Sequence, residues 1–189
     1  MAGAKGGFLT MGTKRVGLAR IEALMENLRR EIAFGAGTTL KGFKREVVLS
    51  GGGTTTLTAA QSGAYCIFDT AATSNFTLPA PTLGMHFTFI QTIINTADHV
   101  IQAATDDHGF LGGVMLMNTT ADQTNAFATA TDGNNDFITL NATTTGGAAA
   151  GSRIEVVAIL NSSAAKCWAV TAHLIGSGNT ITPFGDAQI

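Results

Sequence analysis

The sequence predicts a mainly β protein: an antiparallel β-sandwich or jelly-roll-like barrel preceded by one N-terminal α-helix. Three observations carry this expectation. Roughly eight to ten short runs of aromatic, aliphatic and β-branched residues recur at fairly even spacing, with Gly, Pro, Asn and Asp clusters between them. These runs do not alternate with helical patterns, which argues against a Rossmann or TIM architecture. One segment near the start has a helical rhythm instead of a two-residue one. The 189 residues suit one domain with an extension. We expect an arm, helix and linker over 1–53, a β body over 54–175 and an extended tail over 176–189.

Residues 1–12 are rich in glycine. Thr13 has the chemistry of an N-cap. A helix is expected from about Lys14 to Ala33, stopped by Gly35 at a C-cap position with Gly37 beyond it. Leu18, Ile21, Met25, Leu28 and Ile32 are spaced 3, 4, 3 and 4, which is a heptad seam. Arg15, Arg20, Arg29 and Arg30 accompany it. A lone helix of this length is marginal in water, so the seam needs cover. Its own copies, a partner protein, or the β body of the same chain would each supply it. Isoleucine at more than one seam position tilts a bundle toward three strands. Phe43 and Val47–Leu49 are candidates for a first strand, and Ser50–Gly53 is a hinge of small residues.

The clearest strand grammar lies in Thr56–Gln91. Ala64–Asp69 is an apolar run. Phe76 and Leu78 alternate with Thr77, the period of a half-buried strand. Pro79 and Pro81 stop any ladder, having no N–H to donate. Gly84 turns the chain into His86–Ile94. A polar turn at Asn95–Asp98 precedes a short strand at Val100–Ala103. Thr105–Gly109 is a turn cluster. Phe110–Met117 is apolar but holds Gly112 and Gly113, which suggests a bulge or bend. Asn118–Thr124 reads as a loop and Phe127 as part of a short strand. Asp132-Gly133 signals a tight turn before a strand at Asp136–Asn141. Arg153–Leu160 and Lys166–Ile175 are strands joined by a hairpin connection. Both faces of the latter are partly apolar, which suggests cover on both sides by a second sheet or a neighbouring subunit.

Charge is scarce and uneven. Charged residues are 13% of the chain and the formal net charge is -2. Residues 1–46 hold nine Lys or Arg against four Glu, whereas the rest holds Arg153 and Lys166 against eight Asp and Glu155. A basic arm therefore precedes an acidic body, an arrangement suited to docking the arm on an acidic surface. Nucleic acid is not the expected partner: the body is acidic, and no aromatics interleave with the basic residues of the arm.

Cys66 and Cys167 both lie in apolar strand candidates, so each is expected as a buried small hydrophobe, with a single disulfide as the alternative. No apolar run reaches the ~18 residues of a membrane span, and no signal-peptide h-region begins the chain. Synthesis in a host cytoplasm is expected, with neither membrane nor usual secretion.

Candidates for chemistry are few. Asp98-His99 and Asp106-Asp107-His108 supply metal-ligand types, but turns favour Asp and His for local hydrogen bonding. His86 and His173 fall within strands. No Gly-x-Ser-x-Gly, Walker-type loop or His-Glu-x-x-His occurs, and Glu155 is the sole glutamate after residue 46. We therefore assign no catalytic, cofactor-binding or metal-ligating residues and expect no enzyme.

Thr56–Gly63, Tyr65–Phe68, Thr77–Pro81 and Gly84–Phe89 follow in an order, Thr-Leu-Thr-Ala-Ala-x-Ser-Gly, strand, Thr-Leu-Pro-Ala-Pro, Gly-x-x-Phe-x-Phe, that resembles a β-module of tailed-bacteriophage virion proteins. These are capsid decoration (cement) proteins and some head- or tail-fibre heads. The matching residues cover about a fifth of the chain. The resemblance implies a homotrimer on the capsid surface that binds the major capsid protein. Its alternative implication is a trimeric fibre or spike head that binds host glycans.

Overall fold

Successive strands over residues 47–102 change sheets at every step. In the computed structural model the described residues are 20–23, 25, 45–130, 134–161, 163 and 165–186. The chain divides into two units, residues 1–35 and 36–189. In the first, residues 20–23 and 25 are helical. The remainder of the helix expected over 14–33, and Phe43, lie outside the described residues.

The second unit holds β1 (Val47–Leu49), β2 (Gly53–Thr56), β3 (Tyr65–Phe68), β4 (Ser74–Thr77), β5 (His86–Gln91), β6 (His99–Gln102), β7 (Phe110–Asn118), β8 (Gln123–Ala128), β9 (Phe137–Leu140), β10 (Arg153–Leu160), β11 (Lys166–Gly176) and β12 (Phe184–Gly185). One sheet has seven strands in the order β1-β3-β5-β10-β11-β7-β8. The other has five, β12-β9-β6-β4-β2. They share one core, as in a β-sandwich.

The expected antiparallel arrangement is corrected: both sheets are mixed. The β1–β3, β3–β5, β2–β4, β4–β6 and β7–β11 pairs are parallel. The cause is the winding. β1, β3 and β5 lie in one sheet while β2, β4 and β6 lie in the other, so each link crosses the core instead of folding back as a hairpin. The sharpest crossing, from β1 to β2, has φ of +60°, +82° and +79° at Gly51, Gly52 and Gly53, values that side chains with a Cβ resist. Asp69 Oδ1 pins this corner by accepting from Gly51 N (2.8 Å) and Ser50 Oγ (2.9 Å).

Three other expectations change. β7 runs unbroken through Gly112 and Gly113, and a Cβ on Gly112 would lie 2.1 Å from the Val170 carbonyl oxygen on β11. The glycine permits close pairing instead of forming the expected bulge or bend. Gln123 and Thr124, expected in a loop, begin β8 against β7. The tail beyond Ile175 returns to the body: β12 pairs with β9, and Phe184 enters the core.

Inward-facing residues alternate as strand geometry requires. Trp168, Val170, Ala172 and Leu174 of β11 are all buried. Phe76 of the five-stranded sheet joins the two layers, edge-on to Phe68 at 5.0 Å and tilted to Phe89 at 5.4 Å. His99 of β6 is fully buried and stacks on Phe68, centroids 4.6 Å apart.

A buried amide pair ties the layers at one end. Gln91 Nε2 donates to Asn95 Oδ1 (3.0 Å) and to the Ile93 and Gly147 carbonyls. Asn95 Nδ2 donates to the carbonyls of Leu140 (2.6 Å) and Ala97 (2.8 Å). Gly147 has φ +87°, and a Cβ there would meet Asn95 Oδ1 at 2.0 Å. Asn95 thus connects the end of β5, the 141–152 link and β9. Asn95→Ala strands one buried and one half-buried carbonyl and is expected to cost about 2–4 kcal/mol, a drop in Tm of roughly 5–15 °C by calorimetry. A melting temperature within a degree of the parent would refute this role.

Candidate interaction surface

The residues that sequence reasoning singled out for chemistry do not converge. Among the described residues no group of three His, Cys, Asp or Glu is placed to hold a metal ion. Asp106–His108 forms a single 3-10 turn, in which His108 Nδ1 lies 3.1 Å from Thr105 Oγ1. His99, expected in a polar turn, is instead in the core with Nε2 3.1 Å from the Ala72 carbonyl. Burial holds its pKa below the ordinary 6.5, against the Ala72 and Thr70 carbonyls and Asp98, which pull it up.

Cys66 and Cys167 are both free and buried. Cys66 faces the core from β3. Cys167 lies on β11, three strands away in the same sheet. At ~4.8 Å per strand that is ~14 Å, twice the Cα separation a disulfide tolerates. Burial, then the charge of Glu46, pushes the Cys66 thiol up to about 12, and burial raises Cys167.

Of the expected helix residues, Arg20, Ile21 and Met25 are helical and exposed. Ile21 and Met25, four apart, share one helix face. Leu18, Leu28, Ile32, Arg15, Arg29 and Arg30 lie outside the described residues.

A surface that sequence reasoning missed is the outer face of the seven-stranded sheet. Strand register lays its side chains in rows. One row runs Leu49, Ile67, Ile90, Arg153, His173, Met115, Ala126. The next runs Val47, Tyr65, Thr88, Glu155, Thr171, Gly113, Ala128. Val47 is 53% exposed, Leu49 54%, Met115 49%, Met117 42% and Val157 41%. Two apolar flanks thus border a polar centre. There Arg153 Nε donates to Glu155 Oε1 at 3.0 Å, so the charges are paired. Arg45 sits 5.0 Å above the Tyr65 ring. A hollow of about 230 Å³ lies between Arg45, His86, Arg153 and Val157. Another of about 380 Å³ lies over Gly113, walled by Met115, Ala126, Ala128, Thr171 and His173.

The outer face of the five-stranded sheet differs. Its outward rows are Thr54, Asn75, Val100 and Thr139, and Thr56, Thr77, Gln102 and Phe137, and Gln102 Nε2 donates to Thr77 Oγ1 at 3.0 Å. One outer face of the body is suited to water and the other is rich in exposed apolar side chains.

On β11 the Trp168 face is buried throughout, whereas the other face is buried at Cys167, half-buried at Ala169 and exposed at Thr171 and His173. The signal that could have found the surface was present: Val47, Leu49, Val157, Met115 and Met117 stand at outward positions of their strands, with Ile67, Ile90 and Leu111 beside them. Assigning them to one face required the strand order.

Two measurements check this description. The His99 pKa is lowered in the folded state, so the folded chain refuses a proton that the unfolded chain accepts below pH 6.5. Its contribution is intact above pH 6.5 and is lost as pH falls toward the folded pKa, at no more than ~1.4 kcal/mol per pH unit. Asp69, held below its ordinary 3.8 mainly by the Gly51 N–H, acts only in stronger acid. His99→Phe should flatten the stability profile just below pH 6.5 and leave the lower loss in place; an unchanged profile there would exclude His99 as its source. Iodoacetamide should leave both cysteines unmodified in the native protein and modify both in denaturant without reductant. Rapid native labelling, or failure to label without reductant, would contradict two buried free thiols.

No family model, curated protein or solved structure matches the chain.

Proposed function

We propose that the chain is a structural protein of a tailed-phage virion that decorates and stabilises the capsid by binding the major capsid protein lattice. The observation that carries this reading is the ordered motif from Thr56 to Phe89, with its resemblance to decoration-protein modules. Its residues have definite tasks in the winding. Thr58 N donates to Gln61 Oε1 (2.9 Å), closing the turn after β2. Gly63, at φ +94°, packs beneath His86. Pro79 and Pro81 lie in the link that carries the chain from β4 to β5. Gly84, at φ +82°, donates from N to the Ala158 carbonyl at 3.1 Å.

The basic N-terminal segment supports attachment. Arg15, Arg20, Arg29 and Arg30 accompany the apolar seam in sequence, a combination suited to an acidic, partly apolar docking site. Ile21 and Met25 are exposed, which is compatible with a seam that meets copies of itself or the capsid. In this reading the seam gathers three copies where capsid subunits meet, and the body, jelly-roll-like in use, faces outward. The action is adhesive. Many copies bridge neighbouring capsid subunits and raise the work needed to part them.

Removal of residues 1–35, the first unit, is expected to abolish incorporation into particles while the β body keeps its far-ultraviolet circular dichroism. Full occupancy by the truncated form would overturn attachment through this segment. Peptide quantitation against the major capsid protein tests the role itself: decoration requires many copies per particle, and a handful would indicate a fibre head. Because exposed charges are screened within ~8 Å at physiological salt, Arg→Glu changes at Arg15 and Arg20 should lower occupancy most at low ionic strength.

A further inference from the structure

We propose that the outer face of the seven-stranded sheet is a homotypic interface, on which two copies of this chain pair about a two-fold axis. This surface lies in the β unit and is independent of what the N-terminal segment binds.

Parallel strands are normally covered on both faces. β1, β3 and β5 are parallel neighbours, yet Val47 and Leu49 are exposed on their outer side. The outer face of the other sheet carries Val100 and Phe137 among its threonines, and neither is as exposed as Val47 or Leu49.

The occupant follows from self-complementarity. Consider a two-fold axis lying along the rows, midway between the Arg153 row and the Glu155 row. It exchanges the rows. Arg153 then faces the second copy's Glu155, and Glu155 faces its Arg153, so the two intrachain pairs merge into a neutral four-charge cluster. Met115 faces the hollow left by Gly113, a side chain entering a space of matching position. Leu49 faces Val47. One row further out on either side, Leu111 faces Met117. Leu49 on Val47, Ala126 on Ala128 and Leu111 on Met117 are apolar on apolar and Arg153 on Glu155 is charge on opposite charge, while Ile90 meets Thr88 and His173 meets Thr171; none of these oppositions sets like charges together. Docking a face on itself demands this property, whereas an unrelated partner would not require it.

The size is sufficient. Seven strands span about 29 Å at ~4.8 Å per gap, and four rows span about 20 Å along the strands. The patch is therefore ~600 Å² on each copy, ~1,200 Å² in all, at the lower bound of stable specific interfaces.

Analytical ultracentrifugation of the full chain tests the pairing. The wild-type protein should sediment with an even number of protomers and fall to half that mass on dilution. An odd number, one or three, overturns the proposal. Arg153→Glu and Glu155→Arg each set like charges against each other across the axis, so each alone should halve the mass. Their equimolar mixture should restore it, because two carboxylates on one copy then meet two guanidinium groups on the other. Misfolding of either variant cannot produce that rescue, and an intrachain role for the pair cannot either. Met115→Glu should halve the mass with no partner that restores it, while Thr54→Glu on the opposite sheet should leave it unchanged. Retention of the wild-type mass by the three face variants, or no recovery on mixing, would show that the face is not a self-interface.

Discussion

The crossing of the core after every strand from β1 to β6 is the constraint on which the body depends. Two strands joined by a crossing link cannot pair with each other. Each must wait for the strand one turn of the winding later. Val47 pairs with Tyr65, Gly53 with Ser74, Tyr65 with Thr88 and Ser74 with His99. These separations, 18 to 25 residues, mean that no ladder in this half closes locally. The loop-closure entropy is spent before the bonds form, and only the shared core offsets it. The aromatic contacts sit where this matters most. Phe68, Phe76, Phe89 and His99 come from four strands, two in each sheet, and meet ring against ring. Gln91 and Asn95 do the same work in polar form at the edge of the core, satisfying carbonyls from the β5–β6 link, the 141–152 link and the end of β9.

The sequence located strands better than it paired them. Ala64–Asp69, Phe76–Leu78, Arg153–Leu160 and Lys166–Ile175 were legible because alternation and turn residues are local signals. The parallel pairing was not legible. A sheet covered on one side shows the same alternation whichever way its neighbours run, and a link as short as Ser50–Gly52 does not say which sheet the next strand joins. Gly112 misled for a related reason. Its need for a missing Cβ comes from Val170, some sixty residues later. His99 misled because Asp98 and the preceding polar residues mark a turn, and only the stacking on Phe68 shows that the ring points inward. The two cysteines could be read as buried hydrophobes from their apolar runs, but their separation across the sheet needed the strand order.

The docking residues divide in the same way. The seam of Leu18, Ile21, Met25, Leu28 and Ile32 has a helical period, so it is readable in the sequence. The outer face of the seven-stranded sheet has no period of its own. Its rows are assembled from β1, β3, β5, β10, β11, β7 and β8, in an order far from that of the chain. Contributions of one or two residues per strand are individually unremarkable, since scattered exposed hydrophobics are common on any protein. Only their collection on one face turns them into a surface that is costly to leave in water.

Why the face, and not an edge, should be the place where copies meet follows from how the edges end. β1 has three residues, and β8 opens with Gln123 and Thr124 and turns Asn125 Nδ2 toward Thr180 Oγ1. Short strands and polar side chains are the devices by which sheets discourage further strands from adding. At the far edges of the other sheet, β12 has two residues and β2 is largely threonine. An edge-on mode of growth would also be open-ended, each added copy presenting a fresh edge. A face that is complementary to itself closes after two copies and leaves nothing to propagate. For a protein of low charge, with 13% charged residues to keep it apart from its neighbours, closure of this kind separates assembly from aggregation. The exposed apolar side chains of the seven-stranded sheet would then lie on a surface whose partner is finite.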